Sequence, residues 1–200
     1  MFYSCDGIDG TGKSTQLRLF ADWLRTHGDD VITCVDPGST PLGEAIRKIL
    51  LKSNGTPMSR TSEMLLFMAA RAQLVEEVIR PALAAGKTVV SDRFLLANVV
   101  YQGHAGGLDV GALWRIGEVA TGGLKPDMTF LLDMPPEAAT QRIGRELDRM
   151  ESFGHEYRDR LRDGFLAEAA RRPEEIVVID AARPIDAVHA EIIARVAAAR

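Results

Sequence analysis

The chain has 200 residues, of which 46% are hydrophobic and 26% are charged, a composition typical of one globular domain. This excludes disordered, fibrous and solenoid proteins. The 24 basic and 28 acidic residues leave a net charge of −4, so the overall charge indicates neither a nucleic-acid partner nor a membrane-surface partner.

The cysteine count and the hydropathy pattern indicate where the protein is found. Two cysteines, Cys5 and Cys34, are too few for a disulfide framework, and both occur in apolar runs typical of strands. The first residues lack the basic flank and apolar run of a signal peptide, and no stretch approaches the roughly 18 apolar residues of a membrane span. We therefore expect a single soluble domain over residues 1–200, located in the cytoplasm.

Short β-rich runs alternate along the chain with longer segments whose apolar residues recur at helical spacing. The predicted strands are residues 1–5, 30–35, 87–92, 129–133 and 176–180. The predicted helices are residues 13–26, 40–52, 59–85, 97–102, 111–121, 135–172 with an interruption, and 184–199. This alternation predicts an α/β fold with a five-stranded parallel sheet and helices on both faces.

A glycine-rich sequence joins the first predicted strand to the first predicted helix. Residues 7–14 read Gly-Ile-Asp-Gly-Thr-Gly-Lys-Ser and match the phosphate-binding loop at every fixed position. The backbone N–H groups of such a loop and the positive end of the helix dipole attract a phosphate. We expect Lys13 to reach the β- and γ-phosphates and the Ser14 hydroxyl to ligate Mg²⁺. The residues predicted to bind the nucleotide are Gly7, Ile8, Asp9, Gly10, Thr11, Gly12, Lys13, Ser14 and Thr15.

A second metal ligand is expected at the end of a neighbouring strand. Asp92 ends the 87–92 strand at the carboxyl edge of the predicted sheet, where ligands bind in such folds. There it can hold Mg²⁺ directly or through water. Two alternatives stay open: Asp92 caps the next helix, or Asp133 holds the metal instead. Asp9 lies inside the loop close to the transferring phosphoryl group, and Arg93 is its natural partner and a clamp for a second phosphate.

Phe67 and Arg71 are four residues apart in the 59–85 helix and therefore share one apolar face. In one interpretation, the aromatic ring stacks on a nucleotide base and the guanidinium donates at the edge of the base. In the other, Phe67 belongs to the core and Arg71 extends its charged end to the surface. The helical pattern alone is consistent with both.

Arg142, Arg145 and Arg149 fall at positions i, i+3 and i+7 of one helical face. The like-charged pair Arg145 and Arg149 costs a few tenths of a kcal/mol unless an anion lies nearby. One interpretation is a lid over residues 142–153 that closes on a triphosphate and stabilises charge in the transition state. The alternative is a solvated helix, which the neighbouring acidic residues favour.

Together these motifs resemble the thymidylate kinase family. The residues that carry the resemblance are 6–16, 37–40 (Pro-Gly-Ser-Thr), 66–71 (Leu-Phe-Met-Ala-Ala-Arg), 92–94 (Asp-Arg-Phe), 101–103 (Tyr-Gln-Gly), 126–127 (Pro-Asp) and 147–149 (Leu-Asp-Arg). The resemblance implies a fold of the P-loop NTPase type with a small lid segment. It also implies transfer of the ATP γ-phosphoryl group to dTMP, giving dTDP for dTTP biosynthesis, with Mg²⁺ as cofactor and a homodimer built on the long helices.

The resemblance also implies roles for individual residues. The residues implied in dTMP binding are Asp9, Arg47, Phe67, Arg71, Arg93, Asn98, Tyr101 and Gln102. Phe67 would stack on thymine, Arg71, Asn98 and Gln102 would meet its polar edge, Arg47 and Arg93 would hold the phosphate, and Tyr101 would pack under the deoxyribose. The implied catalytic residues are Asp9, Lys13, Arg93, Arg145 and Arg149, and the implied metal ligands are Ser14 and Asp92. Adenine is expected between Arg142 and the loop 181–184.

The sequence departs from the family pattern at several positions around the acceptor and metal sites. Asp6 stands where glutamate is usual, Val35 and Asp36 replace an Arg-Glu pair, Phe94 replaces tyrosine, and Ala97 replaces serine. Two rival functions remain at this point. One is a small-molecule kinase with a different acceptor, such as a deoxynucleoside, UMP or CMP. The other is a non-catalytic nucleotide-binding module that acts through a partner.

Overall fold

The computed structural model describes residues 1–51, 57–143 and 154–199. Within these ranges, five parallel strands form a sheet: β1 (Phe2–Asp6), β2 (Val31–Val35), β3 (Thr88–Asp92), β4 (Met128–Asp133) and β5 (Ile176–Asp180). The spatial order is β2-β3-β1-β4-β5. The five predicted strands and the parallel sheet are confirmed, and each strand end lies within one residue of its predicted position.

The register of the central strands brings acidic residues to one edge of the sheet. In β1, Cys5 lies opposite Asp92 of β3, and Asp6 lies opposite Leu131 of β4. Since all the strands are parallel, their carboxyl ends meet at the same edge. That edge places Asp6 and Asp92 beside the glycine-rich loop that follows β1.

The helices cover both faces of the sheet. The described helices are α1 (Lys13–Thr26), α2 (Pro41–Leu51), α3 (Arg60–Leu74), α4 (Arg80–Ala84), α5 (Leu95–Asn98), α6 (Val110–Thr121), α7 (Pro136–Gln141), α8 (His155–Arg171) and α9 (Ile185–Ala199). Two π-helical turns, Val75–Ile79 and Val99–His104, continue α3 and α5 respectively. The predicted 59–85 helix is therefore one run with a π-helical turn inside it. The predicted 97–102 helix begins at Leu95 and is mostly π-helical.

Within the described residues, the core consists of two apolar layers separated by the sheet and a smaller cluster of Ile46, Leu50 and Ala70 between α2 and α3. One layer, which includes Phe20, Leu24 and Phe130, packs α1, α8 and α9 against the sheet. The other, which includes Leu74 and Leu113, packs α3, the first π-helical turn and α6 against the opposite face. Cys5 and Cys34 are free thiols buried in these layers, as predicted for strand residues. No helix within the described ranges is long and apolar enough to cross a membrane.

The packing of Leu24 gives a test of the fold. Its side chain is 0% exposed within the layer below α1. We expect Leu24→Ala to lower the free energy of unfolding by about 2–5 kcal/mol, because it removes buried methyl groups and leaves a cavity. Urea denaturation measures the change. The control Arg18→Ala lies on the same helix with its side chain 68% exposed, and it should change the free energy by less than about 0.5 kcal/mol. Equal effects of the two substitutions would contradict this packing.

Candidate active site

A cavity of about 970 Å³ opens at the carboxyl edge of the sheet. The glycine-rich loop forms its floor. Phe67 and Arg71 line one side, and Arg142 with the segment 181–185 lines the other. Parallel α/β sheets bind their ligands at this edge, and the volume lies in the upper part of the range for small-molecule sites.

The glycine-rich loop is held against α7 at a distance that excludes a side chain. Gly10 has a φ angle of +90°, and a Cβ atom added there would lie 2.0 Å from the carbonyl oxygen of Ala139. Lys13 Nζ donates to the Ile8 carbonyl at 2.8 Å, and Thr11 Oγ1 donates to the same oxygen at 2.9 Å. Burial and the nearby Arg93 charge lower the pKa of Lys13. The two bonds to the Ile8 carbonyl hold the loop in a compact turn and place Lys13 at the cavity.

Asp9, Arg93 and Tyr101 form a hydrogen-bonded cluster beside this loop. Arg93 Nη2 donates to Asp9 Oδ1 at 2.6 Å, and the Tyr101 hydroxyl donates to Asp9 Oδ2 at 3.0 Å. Burial opposes ionisation of Asp9, but the charges of Arg93 and Lys13 hold its pKa well below the usual range. The pairing of Asp9 with Arg93 agrees with the sequence prediction. Arg93 itself has a φ angle of +67°, in the left-handed region that residues other than glycine rarely adopt.

Ser14 and Asp92 meet where a metal ligand set was predicted. Ser14 Oγ lies 3.5 Å from Asp92 Oδ2, and both residues line the cavity. A hydroxyl and a carboxylate are the oxygen ligands that Mg²⁺ prefers. The capping alternative for Asp92 is wrong, because Phe94 occupies the N-cap of α5 and no side chain caps that helix. The alternative metal ligand Asp133 is instead held by Arg162 through two hydrogen bonds of 2.8 Å.

Arg71 is buried in the wall of the cavity, with only 1% of its surface exposed. Its Nε donates to Asp36 Oδ2 at 2.6 Å, and its Nη1 donates to Asn98 Oδ1 at 3.0 Å. The interpretation with a surface-exposed Arg71 is therefore wrong. Phe67 is partly buried, packs against the cluster of Ile46, Leu50 and Ala70, and lines the cavity, so it belongs to both the core and the cavity wall.

A chain of buried polar side chains continues from Arg71 through α5 and the second π-helical turn. Asn98 Nδ2 donates to Gln102 Oε1 at 2.6 Å, and Gln102 Nε2 donates to Glu63 Oε1 at 2.9 Å. No sequence pattern predicted the position of Glu63 or the partnership of Asp36 with Arg71. Arg71 lies on an apolar helix face and therefore needs a buried partner, which was the sequence signal that could have led to Asp36. The sequence around Glu63 contains no comparable signal.

The remaining predicted site residues are placed as follows. Arg47 lines the cavity and donates to the Pro37 carbonyl at 2.7 Å, and Arg142 donates to the Ala181 carbonyl at 3.1 Å. Gly12 and Thr15 line the cavity floor. Gly7 and Ile8 take part through their carbonyl oxygens, which accept hydrogen bonds from Arg93 and Lys13 respectively. Arg145 and Arg149 lie outside the described residues.

Asp6, at the end of β1, is a buried carboxyl group that the sequence marked only as a departure from the family pattern, without indicating its burial. It is 0% exposed, and neither of its oxygens has a hydrogen-bond partner among the described residues. Burial raises its pKa to about 7, against the opposing charges of Arg93 and Lys13. A carboxyl group with this pKa changes its protonation state near neutral pH.

This pKa predicts the pH dependence of stability. The folded chain holds the Asp6 proton up to about pH 7, whereas the ordinary value is 3.8, so the folded state binds more protons between these values. The free energy of unfolding of the unmodified protein, measured relative to that of the Asp6→Asn variant, should therefore fall as pH rises from 4 to 7. The fall should amount to at most about 4 kcal/mol. Urea denaturation of both proteins at pH 5, 6, 7 and 8 measures the difference.

The control for this prediction is Asp22→Asn, at an exposed position of α1. Its difference from the unmodified protein should stay nearly constant between pH 5 and pH 8. A constant difference for Asp6→Asn over the same range would contradict the raised pKa of Asp6.

Comparison with known proteins agrees with this geometry. The thymidylate kinase family model matches residues 5–192. The chain is 49% identical to a thymidylate kinase of Rhodopirellula baltica over 96% of this chain and 77% of that protein. It is 45% identical to one of Symbiobacterium thermophilum over 96% of this chain and 90% of that protein.

A solved structure extends the comparison to the fold. The crystal structure of thymidylate kinase from Ehrlichia chaffeensis superposes with a TM-score of 0.80 at 31% identity, covering 98% of each chain. The fold is accordingly of the P-loop NTPase type. The chain belongs to the thymidylate kinase family.

Proposed function

We propose that this protein transfers the γ-phosphoryl group of ATP to dTMP, giving dTDP and ADP. The observation that carries the proposal is that one cavity joins a complete phosphate-binding loop to a wall formed by Phe67 and the buried Arg71. Membership of the thymidylate kinase family supports the choice of acceptor. The two substrates would therefore lie in a single cavity with their phosphates facing each other.

The donor nucleotide would occupy the side of the cavity formed by residues 7–15. Loop N–H groups and Lys13 would hold its phosphates. Adenine would lie between Arg142 and the segment 181–184, which the hydrogen bond from Arg142 to the Ala181 carbonyl brings together. Gln16 joins the two parts, since its Nε2 donates to the Ile185 carbonyl at 2.9 Å.

Ser14 and Asp92 would hold Mg²⁺, which suits their oxygen donors and their separation of 3.5 Å. When bound, the ion offsets negative charge on the phosphate oxygens. Lys13 adds a positive charge on the same side of the cavity, and Arg93 adds one on the acceptor side. Ser14, Asp92, Lys13 and Arg93 all line the same cavity, so the proposed charges would act on the phosphates from fixed positions.

The acceptor would be recognised at its base and at its phosphate. Phe67 would stack on thymine, and the guanidinium of Arg71 with the amides of Asn98 and Gln102 would meet the polar edge of the base. Arg47 and Arg93 would hold the phosphate, with Asp9 near the sugar hydroxyl and Tyr101 below the sugar ring. This assignment is supported by the hydrogen bonds that link Asp9, Arg93 and Tyr101.

The reaction requires no general base from the protein. A monophosphate oxygen is already anionic at neutral pH, so alignment and charge stabilisation carry the rate. Arg145 and Arg149 are proposed on their spacing in the sequence alone to add positive charge at the donor phosphates. Such an arginine can increase the rate by about 10³–10⁵.

We further propose a cytoplasmic homodimer. Leu65 of α3 is 51% exposed and Val119 of α6 is 83% exposed, and these two helices are neighbours. Apolar side chains on adjacent helices suit a symmetric interface between two copies. The two free, buried thiols are typical of a reducing compartment.

Arg71→Lys tests the role of the buried guanidinium. Lysine keeps a positive charge near Asp36 but cannot reach Asp36, Asn98 and the Phe94 carbonyl together, as the planar guanidinium does. We expect kcat/KM for dTMP to fall by about 100-fold while KM for ATP changes by less than about twofold. Steady-state kinetics with each substrate varied in turn measures both.

The matched control is Arg80→Lys. Arg80 also donates to backbone carbonyls, those of Thr121 and Gly122, but it does not line the cavity. This substitution should leave both kinetic parameters unchanged. If Arg71→Lys changed the kinetic parameters for ATP and for dTMP by the same factor, the assignment of Arg71 to the acceptor base would be wrong.

The proposed activity is tested by mixing purified protein with Mg-ATP and, separately, dTMP, dUMP, dCMP, UMP, AMP, GMP or thymidine. ADP formation is followed against a reaction without acceptor, and Lys13→Ala serves as the inactive control. ADP formed mainly with dTMP is the expected result. Turnover with another acceptor would mean that the protein is a kinase with a different substrate. No turnover with any acceptor would favour the interpretation that the protein is a non-catalytic nucleotide-binding module.

A further inference from the structure

Glu168 of α8 is a buried carboxylate that does not line the cavity. Although it is 0% exposed, it accepts hydrogen bonds from His104 Nε2 at 2.9 Å, from Trp114 Nε1 at 3.0 Å and from Arg171 Nη1 at 2.8 Å. Arg172 Nη1 donates to its second oxygen. A carboxylate removed from water requires such hydrogen-bond donors. The donors to Glu168 lie on the second π-helical turn, on α6 and at the end of α8.

His104 connects this cluster to the acceptor side of the cavity. It is the last residue of the second π-helical turn, Val99–His104, which also carries Tyr101 and Gln102. Tyr101 is bonded to Asp9, and Gln102 is bonded to Asn98. The middle of the turn is thus held by Asp9 and Asn98, and its last residue is held by Glu168.

Helix α8 packs against this turn without space for an additional methyl group. A Cβ atom added at Gly164 would lie 2.6 Å from His104 Cβ and 3.1 Å from Val100 Cγ1. The Tyr157 hydroxyl donates to the Tyr101 carbonyl at 3.3 Å. Tyr157, Gly164 and Glu168 are spaced by seven and four residues, so one face of α8 contacts the turn at three points.

The π-helical geometry explains why the turn needs external contacts. A π-helical turn contains more residues than an α-helical turn, so it changes the direction of the side chains that follow. Without restraint the segment can relax towards α-helical geometry and rotate Tyr101 and Gln102 away from their present partners. A displacement of about 1 Å at a substrate-binding group can cost about 100-fold in rate.

We propose that Glu168 is a positioning residue for the acceptor nucleotide, acting through its hydrogen bond to His104 on the π-helical turn that carries Tyr101 and Gln102. This inference rests on the proposed function. It predicts that loss of the Glu168 contact weakens dTMP binding selectively, because the donor side of the cavity lies on the glycine-rich loop and the segment 181–185.

The first test is Glu168→Gln. A carboxamide has a single acceptor oxygen, so its amide group must face one of the donors that the carboxylate now satisfies. Calorimetry with dTMP alone should show a Kd raised by about tenfold or more, given the sensitivity of binding sites to small displacements. Titration with a non-hydrolysable ATP analogue should show a Kd within about twofold of that of the unmodified protein, and the KM values should split in the same way.

His104 variants keep the proposal testable if Glu168→Gln does not fold. His104→Gln retains a donor for Glu168 and should bind dTMP nearly as the unmodified protein does. His104→Leu has no donor and should reproduce the loss. The control Val196→Ala lies in the buried part of α9, away from the turn, and should lower the melting temperature without changing the Kd for dTMP.

The outcomes separate this inference from the proposed function. If the unmodified protein neither binds nor phosphorylates dTMP, the proposed function fails, and this inference fails with it. If it does both and His104→Leu binds dTMP equally well, only the positioning role is overturned. Equal weakening of dTMP and of the ATP analogue, or the same dTMP loss in Val196→Ala, would also overturn it by showing a general structural effect.

Discussion

The buried ion pair between Arg71 and Asp36 is the interaction on which one wall of the cavity depends. Arg71 is 1% exposed and Asp36 is 2% exposed, so neither charge can be satisfied by water. Breaking such a pair by removing one partner costs about 3–5 kcal/mol. The pair therefore fixes α3 to the segment that follows β2, and further bonds from the same guanidinium reach Asn98 and the Phe94 carbonyl.

A second guanidinium, that of Arg93, joins two parts of the cavity wall. Arg93 donates to the Gly7 carbonyl, to Asp9 and to the Tyr101 hydroxyl, which lie in two separate parts of the chain. The glycine-rich loop and the second π-helical turn are therefore both hydrogen-bonded to the guanidinium of Arg93. Although the whole chain has a net charge of −4, several basic side chains line this one cavity, where carboxylates and backbone carbonyls accept hydrogen bonds from them.

Local sequence patterns predicted the strands and placed the glycine-rich loop between β1 and α1, because these features depend on residues close together in the chain. The strands follow from apolar runs, and the position of Lys13 follows from its spacing to Gly7 and Gly12. The partnership of Asp36 with Arg71 spans 35 residues, so no local pattern could reveal it.

The sequence did not predict the π-helical turns or the hydrogen-bonded cluster around Glu168, and the physical reasons differ. A π-helical turn depends on packing as much as on side-chain periodicity, and the apolar pattern of residues 97–102 is compatible with an ordinary helix. Glu168 occurs in a segment rich in charged residues, which usually indicates a solvated face. Its burial is a consequence of donors supplied from 54 and 64 residues away.

At Arg93, the left-handed backbone is unfavourable, whereas the contacts of the side chain are favourable. A residue other than glycine with this φ angle of +67° carries a conformational cost of about 1–2 kcal/mol, which the bonds to its side chain offset. Glycine or asparagine would relieve this backbone cost, but either would also remove the cation that pairs with Asp9. Under the proposed function, either would in addition remove a phosphate-binding group. A screen for heat resistance alone would therefore constrain position 93 only through the balance of these two effects on stability, whereas a screen that also demands turnover would retain arginine.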